Sequence, residues 1–188
     1  MKPTVKVIIT SSNAADCVEF VGALSETEVV EHEKKVPNPL SATKEEALLL
    51  PRVGRLEWEN LAVQMYALPA TRRYDFAWPA LLREVYGIIV LAEGADEQVL
   101  DETRRLLKLF AMMEQSNCLV AVRQHQEIDA DQAEIARARL QTNYPLISYG
   151  EDGGEEAEKV LRAWVDIVPP PEEPVRRRSR SSSRAEES

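Results

Sequence analysis

Cysteine and histidine are scarce in this chain, and their spacing limits the chemistry that it can carry. The chain holds two cysteines, Cys17 and Cys118, and two histidines, His32 and His125, and each pair is far apart in the sequence. So few thiols in a chain of this size predict a reducing cytoplasm without a disulfide. Because a zinc site needs clustered Cys and His ligands, we expect no metal site.

Long apolar runs and basic side chains are also lacking. No stretch approaches the roughly 20 apolar residues of a membrane span, and MKPTVKVIIT has too short an apolar run for a signal peptide. Residues 169–188 hold five of the 23 basic side chains and four of the 32 acidic ones, which leaves 18 basic against 28 acidic in residues 1–168. This acidic body argues against a general nucleic-acid-binding surface.

The sequence alternates between strand-like and helix-like patterns, which predicts an α/β fold with a mostly parallel sheet covered on both faces. Residues 1–168 are long enough for one such domain with a substantial core. Apolar runs predict strands at 7–10, 54–59, 62–67, 86–92, 118–122 and 145–149, the second and third joined through Asn60 as a hairpin. Helical periodicity predicts helices at 17–24, around Pro79, and at 96–115, 129–140 and 154–168.

Local signals predict two details of this arrangement. Residues 27–52 are polar and contain three prolines, so we expect a long irregular connection with one helical turn at 44–50. Asp129 followed by Gln132 is a capping-box signal for the start of the fourth helix.

The segment 169–188 differs from the body in composition. It opens with three prolines and ends RRRSRSSSRAEES, which has almost nothing to bury, so a disordered tail is predicted. Such a tail could be an inert solubilising end, a polybasic contact to anionic lipid or nucleic acid, or a tether tuned by serine phosphorylation. Two glutamates dilute the arginines, which favours an inert or weakly tethering role.

Residues 6–26 combine a strand, a loop and a helix as a phosphate-binding loop does, but without its chemistry. Such a loop has the pattern G-x-x-x-x-G-K-[ST]: glycine amides surround the phosphates, the lysine meets the β and γ oxygens, and the hydroxyl holds magnesium. The four positions hold Ser11, Asp16, Cys17 and Val18. An aspartate there adds repulsion to the loss of a cation, so we predict no nucleotide cofactor.

Two of these replacements allow more than one interpretation. Cys17 near a helix N-terminus could be an activated nucleophile, but Asp16 opposes thiolate formation and an inert substitution is favoured. Asp16 itself is predicted to cap the helix that begins near Cys17, so that its carboxylate meets the amides that a phosphate would otherwise meet.

Two later segments follow the order of guanine-nucleotide motifs, with their functional residues altered. LPATRRYDFAWPALL at 68–82 is similar to the second-switch pattern G-T-P-G-Q-x-R-F-x-x-x-W. Ala70 stands where a glycine amide senses the γ-phosphate, and Thr71 where a glutamine orients the attacking water. Residues 123–126 read RQHQ in place of the base-reading N-K-x-D.

On these motifs, residues 4–168 resemble the Ras-like small GTPases, and within them the MglA-type prokaryotic branch. The resemblance implies a P-loop NTPase-like, three-layer α/β fold with a six-stranded, mostly parallel sheet and about five helices. Joint loss of the phosphate, magnesium, water and base contacts implies a non-catalytic pseudo-GTPase that acts as a scaffold or regulatory subunit. The alternatives are an atypical nucleotide-binding switch with residual or altered binding, and an acidic adaptor that acts through its tail.

The resemblance also implies where a partner binds. Because the switch regions of the family dock effectors and Roadblock-type dimers, the expected partner is a Roadblock-domain protein or an active small GTPase relative, with homo-oligomers left open. The candidate partner-binding residues are Arg72, Arg73, Tyr74, Phe76 and Trp78. A structural role is favoured for Phe76 and Trp78, whose rings would pack against the sheet as an anchor.

Overall fold

The computed structural model describes residues 2–39, 41–43, 45–93, 96–125 and 131–168, so the predicted tail at 169–188 lies outside the described residues. The strands are β1 (Thr4–Thr10), β2 (Val30–Glu31), β3 (Lys34–Pro37), β4 (Glu46–Leu49), β5 (Arg52–Trp58), β6 (Leu61–Ala67), β7 (Gly87–Glu93), β8 (Cys118–Arg123) and β9 (Leu146–Tyr149). The helices are α1 (Ala14–Leu24), α2 (Trp78–Leu82), α3 (Glu97–Met112), α4 (Gln132–Leu140) and α5 (Gly153–Ile167), and a 3₁₀ helix at Arg72–Ala77 precedes α2. The predicted α/β class is confirmed.

The main sheet has the strand order β2-β5-β6-β1-β7-β8-β9. The neighbouring strands β6, β1, β7, β8 and β9 pair in parallel. β5 pairs with β6 in the antiparallel direction, and β2 does so with β5. The predicted β5–β6 hairpin is confirmed, but the predicted count of six strands is wrong, since seven are described in this sheet. The additional strand is β2, where Val30 pairs with Val53 and the His32 amide donates to the Pro51 carbonyl at 2.9 Å.

The connection between α1 and β5 is more regular than predicted. β3 and β4 form a separate two-stranded antiparallel sheet, so the helical turn predicted at 44–50 is wrong over Glu46–Leu49. Its inward residues Val36 and Leu49 are each 1% exposed and join the core on one face of the main sheet. Val36 is one buried residue in a polar stretch, and Leu49 lies between the exposed residues Leu48 and Leu50, so neither strand shows a recognisable alternation in the sequence.

Two apolar cores lie on opposite faces of the main sheet, an arrangement compatible with a three-layer α/β fold. α1 and α5 cover one face, where Phe20 and Trp164 are buried. α2, α3, α4 and the β3–β4 sheet cover the other face, which contains Trp78 and Phe110. Residues 87–92 of β7 are buried, as predicted for a central strand covered on both sides. Every helix in the described ranges is too short or too polar to cross a membrane.

Short polar side chains begin three of these helices. Asn13 caps α1, Asp96 caps α3 and Asp131 caps α4, each with a side-chain oxygen that accepts a backbone amide. Asp129 of the predicted capping box lies outside the described residues. The observed cap of α4 is Asp131, while the Gln132 side chain bonds to the backbone of the loop after β8.

Candidate functional site at the carboxyl end of the central strands

The parallel strands β6, β1, β7, β8 and β9 end at one edge of the sheet, so the segments that follow them lie together. From β1 the chain crosses first to the β5–β6 side and later to the β7–β9 side. β1 is therefore the strand at which the strand order reverses. In open α/β sheets, ligands bind in the crevice at the carboxyl end of such a strand. The segments compared with guanine-nucleotide motifs follow β1, β6 and β8, and all of them therefore reach this edge.

The connection from β1 to α1 is short. β1 ends at Thr10 and α1 begins at Ala14, which leaves only residues 11–13 between them. The loop is held by its own side chains, because Ser11 Oγ accepts the Asn13 amide at 3.1 Å and Asn13 Oδ1 accepts the Ala15 amide at 3.1 Å. Three residues cannot wrap around a phosphate group as the longer glycine-rich loop does.

Asp16 does not cap α1 as predicted, because Asn13 occupies that position. Asp16 lies in the first turn of the helix and is only 8% exposed. Its Oδ1 faces the Nη1 atom of Arg123, the last residue of β8, at 3.4 Å. The guanidinium also approaches Glu19 at 3.7 Å and lies 5.8 Å from the ring centre of Tyr149. The carboxylate therefore has an internal cation as its partner.

Cys17 is fully buried beneath this ion pair, and its Sγ lies 3.6 Å from the Asn13 carbonyl oxygen. Burial, together with the charge of Asp16, raises the pKa of the Cys17 thiol to about 12. The thiol is consequently neutral at physiological pH, which supports the inert substitution over the nucleophile.

The segment after β6 closes over the short loop from the other side. The Ala70 amide donates to the Ser11 carbonyl at 2.8 Å, and the Leu68 amide donates to the Ile9 carbonyl at 3.0 Å. The space between Ser11, Ala70 and Thr103 is too small to hold a water molecule. We call residues 11–17, with Ala70 and Arg123, the β1 side of the site.

The five predicted partner-binding residues occupy different environments. Trp78 is 1% exposed, with its ring centre 5.0 Å from that of Phe110, and Phe76 packs half-buried against the same core. Arg72 and Arg73 are exposed, and the Arg73 guanidinium lies 4.5 Å from the ring centre of Tyr74. The anchoring role of Trp78 is confirmed, so in this conformation a partner can reach the other four residues but scarcely the indole.

A shallow depression lies between the segments that follow β8 and β9, and we call it the β9 side of the site. Its volume is about 330 Å³, and its lining includes Gln124, His125, Tyr149, Gly150, Glu156 and Lys159. Gln126, at the last position of the base-reading motif, lies outside the described residues.

Charged side chains of both signs lie at or near this depression. The Nδ1 atom of His125 lies 2.5 Å from Glu151, and its Nε2 atom lies 3.7 Å from Glu93. Glu156 accepts the Gly150 amide at 2.6 Å, and this hydrogen bond is the main cause that lowers the pKa of Glu156. Lys159 also lines the depression, and its Nζ atom lies 3.4 Å from Glu156, so the depression offers both charges to a ligand.

Sequence reasoning missed the residues that close the site. Asn13 was recognisable as a helix cap, since a short polar residue comes directly before the periodic apolar pattern. The pairing of Arg123 with Asp16 was not recognisable, because a charged residue at the end of a strand carries no signal of a partner 107 residues away. The chain matches no protein-family model and no curated protein at significant similarity.

Proposed function

We propose that this chain is a Ras-like pseudo-GTPase, similar to the MglA-type branch, that binds no nucleotide and acts through protein–protein interaction. As a non-catalytic scaffold or regulatory subunit, it would work in the cytoplasm. The order β5-β6-β1-β7-β8-β9, with one antiparallel hairpin, supports the Ras-like assignment because it agrees with the sheet that the resemblance implies. The additional strand β2 lies at the outer edge and leaves this order intact.

One observation supports the proposal: the chain's own groups bond to one another at the loop that the resemblance compares with a phosphate-binding loop. Asp16 and Arg123 are paired across the end of the sheet, and the Ala70 amide is bonded to the Ser11 carbonyl. In an active relative, the corresponding amide would donate to the γ-phosphate. Because the Ser11 carbonyl already accepts the Ala70 amide, that amide is not available to detect a nucleotide in this conformation.

The nucleotide part of the proposal is tested on the freshly purified full-length chain. The protein, made without added nucleotide, is denatured and its supernatant is analysed by anion-exchange chromatography. Thermal unfolding is then followed with GDP or GTP and magnesium, since a ligand at 100 times its Kd stabilises a fold by about 2.7 kcal/mol. We expect neither bound nucleotide nor a shift in Tm. Stoichiometric nucleotide would refute the proposal and favour the atypical nucleotide-binding switch.

The partner part rests on the resemblance and on the exposed side chains of the segment 68–82. We propose a Roadblock-domain protein or an active small GTPase relative as the partner, bound through Arg72, Arg73, Tyr74 and Phe76. Arg73→Glu should abolish co-elution with the purified partner in size-exclusion chromatography. Arg55→Glu, an exposed arginine on β5, is the matched control and should leave co-elution unchanged.

A shortened chain ending at Val168 separates this proposal from the adaptor that acts through its tail. If the body carries the interaction, the shortened chain should bind with unchanged affinity. Loss of binding on removal of residues 169–188, with the Arg73→Glu variant unaffected, would favour the tail instead.

A further inference from the structure

Four charged side chains join the 3₁₀ helix at Arg72–Ala77 to the middle of α3. Arg72 and Asp75 lie three residues apart on the first element, and Glu102 and Arg105 lie three apart on the second. Arg72 Nη2 is 2.7 Å from Glu102 Oε1, and its Nε donates to the same oxygen at 3.2 Å. Arg105 donates from Nε to Glu102 Oε2 at 3.0 Å and from Nη1 to Asp75 Oδ2. The ion pairs thus follow the order Arg72, Glu102, Arg105, Asp75, with charges of alternating sign.

Three of the four side chains in this chain of ion pairs are partly shielded from solvent. The side chains of Arg105, Glu102 and Asp75 are 25%, 30% and 34% exposed, whereas Arg72 is 71% exposed. Hydrogen bonds from Arg72 and Arg105 lower the pKa of Glu102. Isolated surface pairs contribute little to stability, but several charges in a network with bidentate geometry contribute more.

The network lies between two firm attachments of the same segment. On one side, the Ala70 amide is bonded to the loop after β1, and on the other, Trp78 is buried against Phe110. Between them, the ion pairs attach residues 72–75 to α3, and the stacked side chains of Arg73 and Tyr74 stand on the outer side. A surface that is ordered in advance loses less entropy when a partner binds.

We propose that Arg72, Asp75, Glu102 and Arg105 form a latch that holds residues 70–78 on α3 in one conformation without a nucleotide, and that competing ions open it. The proposal deepens the proposed function, on which it rests only in taking this segment as the partner surface. In an active relative, the bound nucleotide sets the conformation of the switch. Here, local ionic strength or a charged partner surface sets the equilibrium between the latched and open segment.

Hydrogen–deuterium exchange of the full-length chain, read by mass spectrometry, tests the latch. In Glu102→Gln and Arg105→Gln, amides of residues 70–78 should exchange about fivefold to tenfold faster, as expected when a partly shielded network is broken. Glu158→Gln is the matched control, because it removes an exposed ion pair with Arg162 on α5 and should leave this segment unchanged. Exchange in α5 should stay the same in all three variants.

Salt provides a second measurement that does not depend on a variant. The Debye length falls from about 10 Å at 0.1 M salt to about 3 Å at 1 M, so exchange of residues 70–78 should accelerate with salt in the natural chain. Glu102→Gln should lose most of this dependence. Unchanged exchange in both variants and at high salt would overturn the latch, as would acceleration spread evenly over the whole fold.

The two proposals fail in different ways in this experiment. If GTP with magnesium protects residues 70–78, the nucleotide-free proposal fails even where the salt dependence confirms the latch. If nucleotide has no effect and salt has none either, the latch fails and the proposed function stands.

Discussion

The β1 side and the β9 side of the candidate site differ in how much space they leave and in what occupies it. On the β1 side, the space itself is filled, because Asp16 is paired with Arg123 and the Ala70 amide is bonded to Ser11. On the β9 side, a depression of about 330 Å³ is open, and both a carboxylate, Glu156, and an ammonium, Lys159, line it. The β1 side therefore leaves little room for a ligand in this conformation, whereas the β9 side leaves room and presents charges of both signs.

This difference has a consequence for stability. On the β1 side, Asp16 and Cys17 are buried and Asp16 depends on Arg123 for its countercharge, so a change to this pair costs the fold a large free energy. The groups on the β9 side are more exposed, so water can replace a lost partner. Three measurements test whether the two sides differ in this way.

The largest expected effect concerns the reactivity of Cys17. Its thiol pKa is raised from 9.0 to about 12, so the reactive thiolate is about a thousandfold rarer at pH 8 than in an exposed cysteine. In a Cys118→Ala variant, which isolates Cys17, alkylation by iodoacetamide should be slower than in denaturant by at least that factor. Equal rates in the native and denatured protein would show that the β1 side is open.

The next effect concerns the ion pair between Asp16 and Arg123. Arg123→Met should lower the free energy of unfolding by about 3 kcal/mol, because a largely buried carboxylate loses its cation. Asp16→Asn in the same background should recover part of this loss, since it removes the uncompensated charge. Urea unfolding measures both, and Arg55→Met, which faces an exposed glutamate at 3.7 Å, is the control with an expected change within about 0.5 kcal/mol. A loss no larger than the control's would contradict a buried, dependent β1 side.

The smallest effect belongs to the β9 side. Glu156→Gln should cost about 1 kcal/mol, because a charge-assisted hydrogen bond to the Gly150 amide becomes a neutral one. The pKa of Glu156 is lowered in the folded protein, so its contribution is fully present above the ordinary value of 4.5 and is lost as pH falls through the folded pKa. The free energies of unfolding of the natural chain and of Glu156→Gln should therefore become similar in acid, which urea titrations at several pH values would show. A difference that persists in strong acid would assign the effect to packing.

Much of the fold was predictable from local patterns. The apolar runs correctly located β7 and β8, and the periodicity of α3 placed Leu106 and Phe110 in the core. The missed strands β2, β3 and β4 are short, and their inward side chains are few. A pattern of one or two buried residues in a polar stretch resembles an irregular connection until a partner strand is known.

The sequence predicted where the candidate site lies, but not which side chains contact one another there. Asp16 was expected at the start of the helix after β1, yet its role depends on Arg123, which approaches only because β8 ends at the same edge. The attachment of Arg72 to Glu102 likewise joins residues 30 positions apart. Neither the ion pair nor the latch leaves a periodic signal in the sequence.

The amino-acid sequence by itself determined the α/β class, the main helices and the absence of a glycine-rich loop after β1. These features depend on periodicity and residue type, which act between near neighbours in the chain. Only the tertiary structure decided that Asp16 faces Arg123, that the Ala70 amide bonds to Ser11 and that Trp78 is covered. Such contacts follow from the packing of distant elements, and local propensity contains no information about which charge meets which.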